Sequence, residues 1–201
     1  MLKIVIATRN SGKISEIQSI INNSDFKNMV ETETLLSYPD IPEIIEDGNT
    51  FSENAAKKAL TVAKFTGHVS IADDSGLEVD ALGGAPGVFS ARFAGEKATD
   101  SENIKKLMAL LKDTPSGKRG ARFVCVIAIA TPSGDVRLAE GDCAGFIAEE
   151  VRGTSGFGYD PVFVVPEYGK TFAELGSEIK NKISHRAAAL GRISNILEKI
   201  I

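Results

Sequence analysis

The sequence predicts an α/β fold with a mixed β-sheet. Strand-like apolar runs alternate along the chain with segments whose apolar residues recur at helical spacing, as in α/β proteins. A turn signal at residues 132–135, between two strand-like runs, adds a hairpin to that pattern. The 201 residues are 43% hydrophobic and 25% charged and contain no linker-like or repetitive stretch. We therefore expect a single domain over residues 1–201.

Six strands are predicted from apolar runs that turn residues interrupt. The run at residues 122–130 is typical of a central strand that is covered on both faces. The Asp, Ser and Gly residues at 73–76 are turn formers, so the acidic pair is expected between two short strands. The predicted strands are residues 2–7, 69–72, 77–82, 122–130, 136–141 and 161–165.

Four helices are predicted from apolar spacing and from the residues that begin them. Thr50 with Glu53, and Thr99 with Glu102, have the spacing of a capping box, in which each side chain satisfies a free backbone N–H. Ser184 is a candidate cap for the last helix. The predicted helices are residues 12–21, a segment from Thr50 to about residue 65, a segment from Thr99 through residue 112, and a segment from Ser184 to the C-terminus.

The net charge, the length of the apolar runs and the cysteine content argue against several classes of protein. A net charge of −4 argues against a protein that coats nucleic acid, because phosphate-backbone binding favours a basic face. The longest apolar run, residues 123–130, is far shorter than the ~20 residues of a membrane span. Cys125 and Cys143 are too few for a disulfide framework and are expected to be reduced, so a cytoplasmic protein is predicted.

A polar loop between the first strand and the first helix is a candidate phosphate site. Backbone N–H groups at a helix start favour phosphate, and Lys13 adds a positive charge there. The alternative is an ordinary capped helix start with a solvated lysine, since Ser-Gly-Lys recurs at residues 116–118 in a predicted surface loop. The loop consists of Thr8, Arg9, Asn10, Ser11, Gly12 and Lys13.

Acidic residues on two segments form a candidate metal site. Asp73 and Asp74 follow a predicted strand, and Glu46 and Asp47 precede a predicted helix. Carboxylates are the ligands that Mg²⁺ prefers, with water and substrate phosphates completing its shell. Turn formation by Asp73 and Asp74 is the alternative reading.

Two further segments carry aromatic and cationic residues. Gly156-Phe157-Gly158-Tyr159-Asp160-Pro161 has glycines on both sides of an aromatic residue that is able to stack on a base, or it is an aromatic-filled turn. Lys180, His185 and Arg186 form a cationic cluster suited to phosphate or a base edge, although a histidine at a helix start is more often structural.

Together these segments resemble the non-standard purine nucleoside triphosphate pyrophosphatases, also called inosine triphosphatases or XTP/dITP diphosphatases. The long segment beginning at Ala72 is the most specific part of the match, and the pieces follow the family's order over nearly the whole chain. The matching pieces are ATRNSGKISE, EDGNTFSENAAKKA, ADDSGLEVDALGGAPGVFSARFAG, GFGYDPVF and SHRAAAL.

The resemblance implies a two-lobed α/β fold with a long mixed sheet, a substrate cleft between the lobes, and usually a homodimer. It implies Mg²⁺-dependent hydrolysis of inosine, deoxyinosine and xanthosine triphosphates to the monophosphate and pyrophosphate, which removes them from the nucleotide pool. Two other classes stay open at this stage. They are a house-cleaning pyrophosphatase for modified pyrimidine nucleotides and a nucleotide-binding regulator without catalysis.

The resemblance also assigns roles residue by residue. Glu46 and Asp74 hold Mg²⁺, and Asp74 accepts the proton. Glu53 and Lys58 match a helix motif and are implied to support the site or to contact phosphate. The hydrogen-bond partner of the base C6 oxygen stays open between Arg186, His185 and a backbone N–H of residues 157–160. The substrate-binding residues are Thr8, Arg9, Asn10, Ser11, Gly12, Lys13, Ser75, Phe157, Gly158, Tyr159, Asp160, Lys180, His185 and Arg186.

Overall fold

A computed structural model describes residues 1–25 and 27–197. The strands are β1 Leu2–Ile6, β2 Val30–Thr34, β3 Val69–Val79, β4 Gly120–Ala130, β5 Val136–Ile147, β6 Phe163–Val165 and β7 Lys170–Thr171. The helices are α1 Ser11–Asn22, α2 Phe51–Thr66, α3 Asp100–Leu110, α4 Phe172–Ile183 and α5 His185–Leu197.

The strands form one seven-stranded sheet in the order β2-β1-β3-β4-β5-β6-β7. β1 pairs in parallel with β2 and with β3, so that Ile4 lies opposite Thr32 on one side and Val69 on the other. β6 pairs antiparallel with both β5 and β7. The α/β fold with a mixed sheet is therefore confirmed, and β4 is the buried central strand that its apolar run predicts.

The described chain divides into two compact units. Unit 1 comprises Met1–Asp74, Cys125–Gly141 and the chain from Arg186 onward, and unit 2 comprises Ser75–Val124 and Asp142–His185. The core of unit 1 packs isoleucines of β1, α1 and β4 against α5. The core of unit 2 packs Ile104 and Leu107 of α3 against phenylalanines of β4, β6 and α4. Each unit thus has its own apolar core.

Helix starts follow the residues that predict them. Thr50 with Glu53 and Thr99 with Glu102 form complete capping boxes at α2 and α3. α2 ends at Gly67, whose φ of 71° is the left-handed conformation that glycine adopts without strain. The predicted final helix is confirmed over His185–Leu197, and its last predicted residues, 198–201, lie outside the described part.

The prediction of a turn at residues 73–76 is wrong. β3 runs without interruption from Val69 to Val79, and both Asp73 and Asp74 are buried in it. Lys13 and Arg186, from other elements, form salt bridges with Asp73, and Lys58 forms one with Asp74, so both carboxylates are accommodated within the strand. β5 extends to Ile147 rather than residue 141, and β2, β7 and α4 are additional to the predicted elements.

No helix in the described residues combines the length and the apolar character needed to cross a bilayer.

Candidate active site

The loop at residues 8–13 leads from β1 into α1, as predicted. Asn10 caps the helix, because its Oδ1 accepts a hydrogen bond from the Lys13 backbone N–H at 3.0 Å. The Asn10 backbone N–H donates to Thr8 Oγ1 at 3.2 Å, and the Arg9 side chain is exposed. The loop therefore offers polar side chains at a helix N-terminus, where backbone N–H groups favour a phosphate.

The Lys13 side chain is not the solvated lysine of the alternative reading. It forms a salt bridge with Asp73, whose carboxylate also accepts hydrogen bonds from Arg186 Nε at 3.0 Å and from the Cys125 thiol at 2.9 Å. Arg186 contacts Glu16 as well. Burial alone would raise the pKa of Asp73, but Arg186 and then Lys13 hold it well below its usual range. Asp73 is therefore a fully neutralised buried anion.

Asp74, the next residue of β3, has a different set of partners. Lys58 from α2 donates to Asp74 Oδ1 at 3.1 Å and to Glu46 Oε2 at 2.8 Å. Burial lowers the pKa of Lys58, but the charges of Asp74 and Glu46 outweigh burial and raise it. One ammonium group is thus shared between the two carboxylates that the sequence predicts to hold a metal.

Sharing leaves Asp74 incompletely neutralised. Its Oδ2 is buried and has no hydrogen-bond partner among the described residues. Burial raises the pKa of Asp74 to about 6, and Lys58 and Lys13 offset only part of that effect. Burial also works to raise the pKa of Glu46, but Lys58 outweighs it and lowers that pKa. Asp74 is therefore suited to accept a proton near neutral pH.

The segment that carries Glu46 is fixed to the first turn of α2. Asn54 Oδ1 accepts a hydrogen bond from the Gly48 backbone N–H at 2.8 Å, and Glu53 Oε2 accepts one from the Asn49 backbone N–H at 2.7 Å. A Cβ at Gly48 would lie 2.7 Å from Asn54 Oδ1, so only glycine permits this approach. These contacts set the position of the Glu46 backbone.

A cavity of about 210 Å³ within unit 1 is bordered by two residues of the phosphate-loop candidate and by Glu46 of the carboxylate pair. Its polar lining comes from Thr8, Arg9, Glu43, Glu46 and Lys58, and its apolar lining includes Leu35, Ile41 and Ile44. Two segments that are far apart in sequence thus border one space, as the sequence interpretation requires.

Glu46 and Asp74 are the residues of this site with oxygen ligands for a divalent cation. No group of three or more His, Cys, Asp or Glu side chains suited to a metal occurs in residues 1–25 and 27–197. A magnesium site needs only one or two carboxylates, because water and substrate phosphates complete its octahedron. The buried, unpartnered Asp74 Oδ2 beside Glu46 fits that donor set.

Unit 2 contains the aromatic turn at residues 156–160. Gly156 has a φ of 82°, and a Cβ there would lie 2.0 Å from Asp160 Oδ2, so this position requires glycine. Asp160 Oδ2 accepts a hydrogen bond from the Phe157 backbone N–H at 2.9 Å. Phe157 is half-buried, whereas Tyr159 is buried with its hydroxyl donating to a backbone oxygen. Phe157 is therefore the aromatic side chain of this turn that is accessible to a ligand.

Lys180 is buried and engaged inside unit 2. Its Nζ lies 2.5 Å from Asp160 Oδ2 and 4.5 Å from the centroid of the Phe157 ring. His185 is also buried, and its ring stacks on Phe123 with centroids 4.7 Å apart. The structure thus joins Lys180 to the aromatic turn and places His185 in an aromatic stack.

The other predicted substrate-binding residues are placed as follows. Ser75 is half-buried in β3, directly after Asp74. Arg186 is 1% exposed, and its guanidinium is engaged by Glu16 and Asp73. Their contacts with a substrate stay predictions.

The chain matches a known protein family over nearly its whole length. The model of the Ham1 family matches residues 4–196. The chain belongs to the Ham1 family. It is 52% identical to a dITP/XTP pyrophosphatase of Desulforamulus reducens over 99% of this chain and 97% of that protein. It is 50% identical to a dITP/XTP pyrophosphatase of Shouchella clausii over 100% of this chain and 98% of that protein.

A solved Ham1 structure has the same fold. The HAM1 protein of Coxiella burnetii superposes with a TM-score of 0.86 at 43% identity, covering 99% of this chain and 100% of that one. The seven-stranded mixed sheet is therefore the architecture of this family as well as of this chain.

Sequence reasoning missed several residues that hold these groups in place. Glu16 lies among the isoleucines of α1, and a charged residue on a predicted apolar helix face is a signal that a buried cation faces it. Asn54 and Asp100 contact glycine backbone N–H groups and have no local sequence signal.

Proposed function

We propose that this chain hydrolyses inosine, deoxyinosine and xanthosine triphosphates to the nucleoside monophosphate and pyrophosphate. The names of its relatives support this substrate class, because proteins called dITP/XTP pyrophosphatase match 99 to 100% of the chain at 50 to 52% identity. Removal of non-standard purine nucleotides from the nucleotide pool is the role that follows from such a reaction.

The environment of Asp74 carries the proposal. Hydrolysis needs a group that takes a proton from the attacking water, and Asp74 has a pKa raised to about 6 by its burial. Its carboxylate is ionised at neutral pH and binds a proton more strongly than an exposed aspartate does.

We propose Mg²⁺ as the cation that Glu46 and Asp74 hold. When bound, such a cation neutralises charge on the phosphate oxygens. Two observations support this proposal: the two carboxylates share one lysine, and Asp74 Oδ2 has no hydrogen-bond partner among the described residues. Both indicate that the negative charge of the carboxylates exceeds the positive charge of that lysine.

The basic residues divide into two groups. Lys13 and Lys180 neutralise Asp73 and Asp160, so we assign them to holding those carboxylates in place. Arg9 and Lys58 line the cavity beside the helix N-terminus. We propose that Arg9, with the backbone N–H groups of the loop at residues 8–13, binds the triphosphate, whereas Lys58 is held by Asp74 and Glu46.

Recognition of the base is proposed for the unit 2 turn. A base stacked on Phe157 gains about 1–3 kcal/mol whatever its identity, because every base has a π face. Selection against adenine therefore requires a hydrogen-bond donor directed at the C6 oxygen, for which Arg186, His185 and a backbone N–H of residues 157–160 stay the candidates. A single pyrophosphatase domain, a homodimer and a cytoplasmic location also stay predictions.

The decisive experiment is a product assay with a panel of nucleoside triphosphates and Mg²⁺. We expect inosine and xanthosine triphosphates to give pyrophosphate and the monophosphate, with adenosine triphosphate turned over at least tenfold more slowly. A chelator should abolish activity, and added Mg²⁺ should restore it. Orthophosphate and a diphosphate as first products, or equal rates for modified pyrimidine triphosphates, would contradict the proposal.

A further inference from the structure

The two peptide N–H groups on either side of the Phe157 side chain both donate to carboxylates. The Phe157 N–H donates to Asp160 Oδ2 at 2.9 Å, inside the turn. The Gly158 N–H donates to Asp100 Oδ2 at 2.6 Å, and this partner lies 58 residues away in sequence. The orientation of both peptide planes at Phe157 is thereby set, and with it the direction of the Cα–Cβ bond that carries the ring.

Asp100 is well placed for this contact. It is the first residue of α3, where the helix dipole stabilises a negative charge. Gly158 has a φ of 59°, a left-handed conformation that presents its N–H to the helix start. Burial, and then the charge of Asp100, raise the pKa of Tyr159, which shows that the carboxylate acts on this turn.

We infer that Asp100 is a positioning residue, which orients the Phe157 ring for stacking on the substrate base through the Gly158 N–H. The inference rests on the proposed function, because it assumes that Phe157 contacts the base. Tyr159 and Lys180 anchor the C-terminal half of the turn through buried contacts. Asp100 holds the half that carries the aromatic ring.

The exposure of the Asp100 side chain distinguishes a role in positioning Phe157 from a role in the stability of the fold. Asp100 is exposed, whereas the capping box of α3 is formed by Thr99 and Glu102. Removal of the Asp100 carboxylate therefore leaves the cap and the core of unit 2 intact. Apart from the loss of a surface interaction with the α3 dipole, its consequence is greater freedom of the Phe157–Gly158 peptide.

The test compares ligands with and without a base. The variants are Asp100→Ala, Asp100→Asn and, as a matched control, Asp113→Ala, which removes an exposed carboxylate just beyond the other end of α3. Calorimetry measures the affinities of inosine monophosphate and of pyrophosphate. Steady-state kinetics with inosine triphosphate measure KM and kcat.

We expect Asp100→Ala to weaken the binding of inosine monophosphate and to raise KM, each roughly threefold to tenfold. This is the effect expected from the loss of one hydrogen bond. Pyrophosphate affinity and kcat should stay within about twofold of the native protein, as should every value for Asp113→Ala. Asp100→Asn keeps an acceptor oxygen, so its effect should be smaller. Unchanged monophosphate affinity, or equal weakening of both ligands, would overturn the inference.

A double-mutant cycle with Phe157→Ala sharpens the result. If Asp100 acts through the ring, Asp100→Ala should add less than twofold to the loss of monophosphate affinity in that background. A full additional loss would overturn the inference. Failure of the native protein to cleave inosine triphosphate would instead contradict the proposed function, and the calorimetric comparison distinguishes the two outcomes.

Discussion

Asp73 and Asp74 are adjacent on β3, and alternation along the strand directs their side chains to opposite faces. On one face, Asp73 meets two cations, Lys13 and Arg186, and its pKa lies well below the usual range. On the other face, Asp74 shares one cation, Lys58, with Glu46, and burial raises its pKa to about 6.

The difference shows how one strand serves two purposes. A buried carboxylate surrounded by an excess of cations contributes to the fold, because its charge is fully compensated. A buried carboxylate that shares one lysine with a second carboxylate is destabilised when it is ionised. Such a site is suited to bind a proton or a metal. Local sequence does not distinguish the two aspartates, but their neighbours do.

The largest expected effect is on turnover of Asp74→Asn. This substitution keeps the shape but removes the proton acceptor, and loss of a general base typically costs about 10²–10⁴-fold. We expect kcat for inosine triphosphate to fall by that factor in a folded protein. The control is Asp135→Asn, which removes an exposed carboxylate in the β4–β5 turn. Near-native turnover of Asp74→Asn would remove Asp74 from the mechanism.

Asp73→Asn should act on stability instead. Loss of one partner from a buried ion-pair network leaves an uncompensated charge, here on Arg186 and Lys13, and costs about 3–5 kcal/mol. Urea unfolding should show this loss, with a fall in Tm of roughly 6–20 °C. Turnover per folded molecule should fall less than in Asp74→Asn. A destabilisation below about 1 kcal/mol would mean that Asp73 is not needed to compensate these cations.

The comparison also explains what the sequence could predict. Both predicted capping boxes, at Thr50 and Thr99, appear as predicted because a cap depends on residues three positions apart. The turn predicted at residues 73–76 is wrong because the partner of Asp73, Arg186, lies 113 residues away. Tertiary charge pairing thus overrides the local preference of Asp, Ser and Gly for turns.

The candidate site also has features that the sequence could predict and features that it could not. Motifs indicated the residue types of the phosphate loop, the carboxylates and the aromatic turn, since each is a short continuous segment. The sharing of Lys58 and the burial of Arg186 could not be predicted from local patterns. Both depend on contacts between segments that are distant in sequence, such as Arg186 with Glu16, 170 residues apart.

The smallest expected effect is a pH dependence of stability that arises from Asp74. Burial raises its pKa from 3.8 to about 6, so the folded protein keeps a proton that the unfolded chain releases between these values. The fold therefore loses stability relative to Asp74→Asn as pH rises through this window, and the difference is constant above it. We expect this difference to grow by about 2 kcal/mol between pH 4 and pH 7.

Urea unfolding at a series of pH values, with chelator present, measures that difference. Asp47→Asn is the matched control, because Lys57 lowers the pKa of Asp47 by a hydrogen bond at the surface. A carboxylate with a lowered pKa stabilises the fold above its usual pKa, and this stabilisation is lost as pH falls. The control should therefore show a smaller dependence of opposite sign. If Asp74→Asn and Asp47→Asn show the same trend, the two faces of β3 do not differ in the way that the geometry requires, and Asp74 is compensated like Asp73.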